Sequence, residues 1–367
     1  MFENGKIGVR QFTVLVIFFQ LGTSFLISPS GLATAAKQDA VIASILGIVF
    51  VLLLIPLYIV LGNKFPNLTV TQISEEVLGK WLGKTVSLLF FLFFFILSLV
   101  IISQFGYFVT TQLLPDTPIQ SIMILFVLII IMAVYLGIEV WARAAEIFFP
   151  WVIGIFLFII LALIPEINIQ RLEPVFEEGL KPILRATFTF FGFHQSVLFL
   201  MLYPTVNRTK SAGKALFVGT LLGGIMIILI TLMNILVLGA DLTARNAYST
   251  YALAKKINIG NFLERLESIV VGVWFLTIFF KLTIFFYASA LGLAQTCNLK
   301  QFRPLLFPLG MIMVVLGLVV YPNQTYIGTF IAKIYPSFAL TFMLFLPLLL
   351  LGITILKGKL RKRIKPD

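Results

Sequence analysis

The stretch Leu21-Gly22-Thr23-Ser24-Phe25 interrupts the first apolar run of the chain, which extends from residue 12 to residue 36. Phe191-Gly192-Phe193-His194-Gln195 interrupts the sixth run, 183–203, in the same way. Glycine lowers the cost of leaving helical geometry by about 1 kcal/mol relative to alanine, and the polar neighbours can hydrogen-bond the backbone groups that unwinding frees. Both stretches are therefore predicted to be breaks in long apolar helices.

The composition requires a membrane around these helices. Of the 367 residues, 60% are apolar and 11% are charged, whereas a soluble domain has about 45–50% and about 25%. One core of this size cannot hide that much apolar surface, which excludes soluble enzymes and nucleic-acid binders. Ten runs, called segments 1 to 10, reach the length of about 20 residues that a spanning helix needs: 12–36, 41–61, 85–112, 119–137, 146–165, 183–203, 215–238, 267–295, 304–321 and 335–356.

The net charge of +12 indicates an orientation rather than a nucleic-acid partner. With the N-terminus inside, 17 cations lie on the cytoplasmic side and 9 on the other, as the positive-inside rule favours. We therefore predict one transmembrane domain, 1–356, with both termini cytoplasmic and a basic tail at 357–367. The tail is interpreted as a topology anchor; the alternative is a site for anionic lipid.

The layout of the segments repeats after about 170–190 residues. Each half, about 10–165 and 183–356, has five segments, and its first segment carries a glycine-containing interruption. Because five is odd, the second half enters the membrane from the opposite side, which is the inverted repeat of many secondary transporters. Breaks at matching positions favour a binding site, since half-helix N-termini offer N–H groups to a carboxylate. The alternative is that these glycines only allow close helix packing, which is the interpretation of Gly219-Thr220-Leu221-Leu222-Gly223 in segment 7.

These motifs also carry a family resemblance. Gly22-Thr23-Ser24-Phe25-Leu26 followed by Ser28-Pro29 resembles the broken first helix of amino acid/polyamine/organocation transporters. The whole chain more closely resembles the B subunit of bacterial spore germinant receptors, the spore germination permease family, including residues 263–268, Trp274, Lys281 and 287–295. The resemblance implies an all-α, LeuT-like fold and a receptor subunit in the inner membrane of the spore. It also implies recognition of a small germinant, often an amino acid, and partners in a larger A subunit and a lipoprotein C subunit.

Lys281 lies in the middle of segment 8, about fourteen residues from either end. That distance, about 21 Å at 1.5 Å per residue, is too long for its side chain to reach the interface. A central lysine costs about 2.5–3.5 kcal/mol, so it must face the bundle interior or water. We expect it to contact carbonyls at the end of the first half of segment 1 and hydroxyls such as Ser24 or Thr283. The resembling fold often holds a sodium ion between segments 1 and 8, and Lys281 is interpreted either as its substitute or as a fixed structural cation.

The remaining candidate site residues are one histidine and several aromatic side chains. His194 lies in the segment 6 interruption, where it either lines the pocket or is a hydrogen-bonded structural residue. Phe25 and Phe193 are expected to be walls of the pocket. Tyr107, one turn after Gln104 in segment 3, either closes over the ligand or belongs to the core.

The sequence has no catalytic or metal-ligating pattern. With one histidine and one cysteine, no HExxH motif and no nucleotide-binding loop, we predict neither an enzyme nor a cofactor. The single Cys297 is expected to be a buried thiol near a helix end. The alternative function is a proton-coupled amino-acid or amine transporter, and a third class is a scaffold that binds no ligand.

Overall fold

The computed structural model describes residues 5–257 and 267–364. Residues 263–266, which contribute to the family resemblance, and the last three residues of the basic tail lie outside these ranges. Within the described residues the chain is helical, and its one β-bridge pairs Ile7 with Val206.

The first half consists of seven α-helices. Segment 1 is formed by two helices and segments 2, 3, 4 and 5 by one each, with a short helix between segments 2 and 3. In chain order they are α1 Val9–Leu21, α2 Ser24–Ala36, α3 Ala40–Lys64, α4 Val70–Leu78, α5 Lys80–Phe108, α6 Ile119–Leu136 and α7 Ile138–Ala162.

The second half repeats this order, with short helices before segments 8 and 10. Segment 6 begins as α8 and continues after its break as a 3-10 helix, Ser196–Met201. In segment 10 a π turn, Thr341–Phe345, joins two α-helices. The helices are α8 Leu180–Phe191, α9 Thr209–Leu238, α10 Ala240–Arg245, α11 Ser249–Ala254, α12 Glu267–Thr296, α13 Leu306–Val320, α14 Gln324–Lys333, α15 Tyr335–Leu340 and α16 Leu346–Ile364.

The ten predicted segments are all present as helix. Among the described residues, nine helical stretches are long and apolar enough to cross a membrane, and Val9–Leu21 is a shorter apolar helix. One of the nine, Ser24–Lys64, joins the second half of segment 1 to segment 2. The protein is thus an integral membrane protein with two five-segment halves, whose segments 1 and 6 are broken.

Segment ends differ from the apolar windows where polar residues continue a helix. Helix α7 begins at Ile138 rather than at residue 146, directly after Gly137, whose φ of 94° separates it from α6. Its polar first turns contact the residues just before segment 1. Lys6 donates its backbone N–H to Glu139, and Arg10 forms an ion pair with Glu146 at 3.2 Å. The last helix likewise continues to Ile364, into the basic tail.

The glycines of segment 7 pack against segment 1, as predicted. A Cβ atom on Gly219 would lie 2.6 Å from the Cβ of Val16, and one on Gly223 would lie 2.7 Å from the Cβ of Gln20. Such distances are shorter than side chains tolerate, so α1 and α9 can approach this closely only through glycine. The contact holds the first half of segment 1, α1, against segment 7.

The described part of the connection between segments 7 and 8 covers the second half of segment 1, α2. The hydroxyl of Thr250 in α11 donates to the carbonyl of Phe25 at 2.8 Å. Tyr248 and Tyr251 pack edge-to-face on Phe108 of segment 3. The described part of this loop is therefore docked on segments 1 and 3 of the bundle.

Cys297 is exposed, so the expectation of a buried thiol was wrong. The residue follows the last residue of α12, Thr296, and lies outside the packed part of the bundle. Its position at a helix end was correctly anticipated.

The exposed thiol tests the predicted orientation. A membrane-impermeant maleimide is expected to label Cys297 in inside-out vesicles, and in right-side-out vesicles only after permeabilisation, because the end of segment 8 is predicted to be cytoplasmic. A Cys297→Ser/Asp116→Cys variant, with its thiol in the loop after segment 3, should show the reverse pattern. Labelling of Cys297 in intact right-side-out vesicles would mean that the orientation is inverted.

Candidate ligand site at the helix breaks

Lys281 connects the two helix breaks. Its side chain is 1% exposed, and its Nζ donates to the carbonyl oxygen of Phe193, in the break of segment 6, at 3.1 Å. The same Nζ lies 5.0 Å from the ring centre of Phe19 in segment 1. No acidic side chain of the described residues forms an ion pair with Lys281. Its ammonium group is therefore held by a carbonyl and an aromatic face.

The free energies of these two contacts are large enough to keep the charged lysine inside the bundle. A hydrogen bond to a charged group contributes about 1.5–3 kcal/mol, and a cation over an aromatic ring contributes about 2 kcal/mol when water is excluded. Placing a lysine at the centre of a membrane costs about 2.5–3.5 kcal/mol. The contacts thus offset the cost without a carboxylate, and the carbonyl freed by the break of segment 6 gains its donor.

The prediction of the hydrogen-bond partners of Lys281 was wrong. Its carbonyl partner belongs to segment 6 and not to segment 1. The hydroxyls of Ser24 and Thr283 are buried and have no hydrogen-bond partner among the described residues. The reason is geometric: the lysine passes the break of segment 1 with its alkyl chain and reaches the opposite break with its Nζ.

Gly22 is required by this close passage. A Cβ atom on Gly22 would lie 2.3 Å from the Cδ and 2.9 Å from the Cβ of Lys281. Contacts below about 3 Å do not occur between such atoms, so a side chain at residue 22 must displace the lysine or the helix. The glycine predicted to permit a break thus also makes room for the lysine.

A small cavity adjoins Lys281 between segments 1, 3, 6 and 8. Its volume is about 20 Å³. That is sufficient for about one water molecule. The lining combines one charged, a few polar and several apolar side chains: Thr23, Leu97, Val100, Ile101, Gln104, Phe193, Gln195, Lys281, Phe330, Ile331 and Tyr335.

Tyr335 of segment 10 closes the cavity against the break of segment 6. Its hydroxyl donates to the carbonyl of Gly192 at 2.5 Å. The side-chain amide of Gln195 donates to the same carbonyl at 2.6 Å and to the oxygen of Tyr335. A Cβ atom on Gly192 would lie 2.9 Å from the ring of Tyr335, so this glycine also serves a close approach.

His194 lies in a buried hydrogen-bonded chain behind the cavity. Its Nδ1 is 2.7 Å from the Oε1 of Gln20, while the Nε2 of Gln20 donates to Ser196 at 3.0 Å and to Thr220 at 3.2 Å. Because Gln20 uses its amide hydrogens on these hydroxyls, its Oε1 accepts and the histidine donates from Nδ1. This arrangement corresponds to the second interpretation of His194, a hydrogen-bonded structural residue. The hydrogen bonds connect segments 1, 6 and 7.

The other predicted site residues lie at varying distances from the cavity. Thr23 and Phe193 line it, and Ser24 lies next to it in sequence. Phe25 instead packs on Phe156, with ring centres 6.4 Å apart. Tyr107 donates from its hydroxyl to the carbonyl of Tyr321 at 2.7 Å, which fixes segment 3 to the start of the connection between segments 9 and 10.

Three of the eleven lining residues were missed because they come from the connection before segment 10 and from the start of that segment. Phe330 and Ile331 belong to α14, which lies outside all ten apolar windows, and Tyr335 begins segment 10. The only signal for α14 is local: Asn323 accepts from the N–H of Tyr326 as an N-cap, which marks the start of a helix. Nothing in the sequence indicates that this helix turns inward.

Comparisons with known proteins are consistent with this geometry. The sequence model of a protein family described as "Spore germination protein" matches residues 6–325. Spore germination protein KB of Bacillus subtilis (strain 168) is 30% identical, covering 100% of this chain and 99% of that protein. Spore germination protein YndE of the same strain is 28% identical, covering 98% of each.

Solved structures with the same fold are membrane transporters. A Na+-coupled sialic acid symporter in a substrate-bound outward-open state matches with a TM-score of 0.66 at 12% identity, covering 93% of this chain and 79% of the symporter. Mhp1, a nucleobase-cation-symport-1 family transporter in a closed conformation, matches with a TM-score of 0.63 at 14% identity, covering 89% and 74%. At these identities the likeness establishes the fold alone.

A side chain at residue 22 is expected to destabilise the protein through Lys281. Gly22→Ala should cost about 1–3 kcal/mol, the usual penalty for overpacking a core, and lower the midpoint of thermal unfolding in detergent. Gly31→Ala is the matched control, since a Cβ atom there meets nothing within 4 Å. In a Lys281→Ala background the cost of Gly22→Ala should largely vanish, because the two positions are coupled. An equal cost in both backgrounds would contradict this contact.

Proposed function

This chain belongs to the spore germination protein family, and on that premise we propose that it is the membrane subunit of a germinant receptor. In this proposal it binds a small germinant, an amino acid or a similar molecule, at the breaks of segments 1 and 6. Binding changes the conformation of the bundle and so triggers germination. The membrane is then the inner membrane of the spore, and the partners are the A and C subunits of the receptor.

The observation that carries the proposal is the cavity beside Lys281. Both helix breaks contribute to it, Thr23 from segment 1 and Phe193 and Gln195 from segment 6. A germinant carboxylate there would meet an ammonium group and a hydroxyl, while its side chain would meet Leu97 and Val100 of segment 3. Small-molecule sites have this composition of apolar walls with a few polar groups.

The present cavity is too small for an amino acid, and this points to the conformational step. Room for about one water molecule means that a ligand must displace part of the wall. Apart from the two breaks, the wall elements outside the long helices are α14, with Phe330 and Ile331, and Tyr335. We propose that their outward movement opens the site, and that the germinant favours the arrangement in which they close over it, as a population shift.

Lys281 has a specific role in this proposal. Its ammonium group lies between segments 1, 6 and 8, so a sodium ion would meet a fixed positive charge there. We propose that Lys281 substitutes for the sodium ion that the fold often holds between segments 1 and 8, and that germinant binding needs no sodium. A carboxylate on Nζ would weaken the contact with Phe193 and thereby report occupancy to segment 6.

The other predicted residues serve the site indirectly in this proposal. Gly22 and Gly192 allow Lys281 and Tyr335 to approach. Ser24 and Phe25 continue the break of segment 1, and Tyr107 holds the connection that carries α14. His194 acts as a positioning residue, because it fixes the break of segment 6 to Gln20.

Binding without transport is the test of the proposal. Thermal shift of the purified protein against amino acids and related amines would identify a ligand, and uptake of that ligand, labelled, would then be measured in proteoliposomes. We expect saturable binding without accumulation. Accumulation driven by a proton gradient would establish the transporter alternative, and the absence of saturable binding to any ligand would favour a scaffold.

The role of Lys281 gives a second prediction. Binding should be equal in sodium and choline buffers, and Lys281→Met should weaken it at least tenfold, because the carboxylate loses its charged partner. Lys281→Gln keeps hydrogen-bond donors but removes the charge, so it separates the two contributions to binding. Lys80→Met, at an exposed lysine, is the matched control. Unchanged affinity in Lys281→Met with sodium-independent binding would remove this residue from the site.

A further inference from the structure

A groove on the outer surface of the bundle lies between segments 2, 6 and 10. It offers about 310 Å³ of space, within the range of about 300–1,000 Å³ that is typical of small-molecule pockets. Its walls are apolar, among them Phe50 and Leu54 of α3, Leu184 and Phe188 of α8, and Leu340 and Leu344 of segment 10. Phe50, Leu184 and Phe188 are 49%, 53% and 41% exposed, so the groove opens toward the lipid.

The groove offers no free polar group to an occupant. Its one polar lining side chain, Thr187, donates to the carbonyl of Ala43 at 3.3 Å. On the segment 10 side the wall is the π turn, whose Phe342 turns inward and stacks on Phe93 with ring centres 4.4 Å apart. The part of a ligand that enters the groove is therefore a hydrocarbon.

Two cations stand at one end of the groove. Lys181 and Arg185 are exposed and lie on the face of α8 that carries Leu184 and Phe188, since residues three, four and seven apart share a helix face. Among the described residues, neither cation has a carboxylate within ion-pair distance. The preceding acids are engaged elsewhere: Glu178 pairs with Lys37, and Glu177 accepts from the amide of Gln38.

We propose that this groove binds one acyl chain of an anionic phospholipid whose phosphate lies against Lys181 and Arg185. From Lys181 to Phe188 the helix advances about 10 Å, so the headgroup lies at the N-terminal end of α8 and the chain extends toward the middle of the membrane. An apolar groove that ends in two unpaired cations matches an amphiphile with an anionic head. The site is separate from the cavity at Lys281.

The lipid site adjoins the break of segment 6. Phe191, the last residue of α8, lines the groove, and Phe193, two residues later, lines the cavity and accepts from Lys281. A bound acyl chain therefore packs on the end of α8 and stabilises its present position. Lipid composition then influences the arrangement of the break from the outside of the bundle.

A fluorescence experiment locates the lipid. Phe188→Trp places a reporter in the groove, and the parent protein gives the signal of its own four tryptophans for subtraction. The protein is reconstituted in phosphatidylcholine vesicles that contain rising fractions of phosphatidylglycerol or phosphatidylcholine with brominated chains, which quench nearby tryptophan. We expect half-maximal quenching at a clearly lower fraction of brominated phosphatidylglycerol than of brominated phosphatidylcholine.

The charge variants decide whether the headgroup is recognised. In Lys181→Gln/Arg185→Gln the preference for phosphatidylglycerol over phosphatidylcholine should fall by about 30-fold. At about 1.4 kcal/mol per tenfold, this corresponds to about 2 kcal/mol for the two cations. Arg245→Gln/Lys256→Gln removes two exposed cations from the connection between segments 7 and 8, none of whose described residues lines the groove, and should retain the preference for phosphatidylglycerol. Equal quenching by both lipids, an unaltered preference in the first variant, or no quenching because a protein partner or side chains fill the groove would each overturn the proposal.

Discussion

The arrangement of this bundle depends on keeping one ammonium group inside a membrane with no carboxylate of residues 5–257 or 267–364 paired to it. Lys281 meets that requirement through the carbonyl of Phe193 and the ring of Phe19. Both contacts require segments 1, 6 and 8 to meet at one point, and the carbonyl is available only because segment 6 is broken there. The cost of the buried charge and the cost of the irregular backbone are therefore offset by the same contact.

Glycine and amide groups then determine how closely the helices meet around that point. Gly22 leaves room for the stem of Lys281, and Gly223 leaves room for the stem of Gln20. Gln20 in turn connects His194 with the hydroxyls of Ser196 and Thr220. The first half of segment 1, α1, is thus held on three sides by segments 6, 7 and 8. Its second half, α2, is held by the helices of the loop before segment 8.

The fold was predictable from the sequence because its signals are local. Apolar length marks the segments, and the paired interruptions at Gly22 and Gly192 mark the breaks and the repeat. The central position of Lys281 and the packing role of Gly219 and Gly223 were predictable for the same reason. The carbonyl that the lysine reaches, the inward turn of α14 and the remote positions of Phe25 and Tyr107 depend on helix rotation and on long-range packing, which periodicity does not determine. The exposure of Cys297 could not be predicted for the same reason, because at this helix end the neighbouring Thr296 is buried and Cys297 is exposed.

The position of α14 has a consequence for how this architecture diversifies. A ten-residue helix outside the long segments supplies Phe330 and Ile331 to the cavity beside Lys281. Residues of a connection accept substitution more readily than residues that pack on several helices at once. The shape of this cavity can therefore drift through changes in one short element, while the lysine, the glycines and the membrane-spanning helices stay as they are.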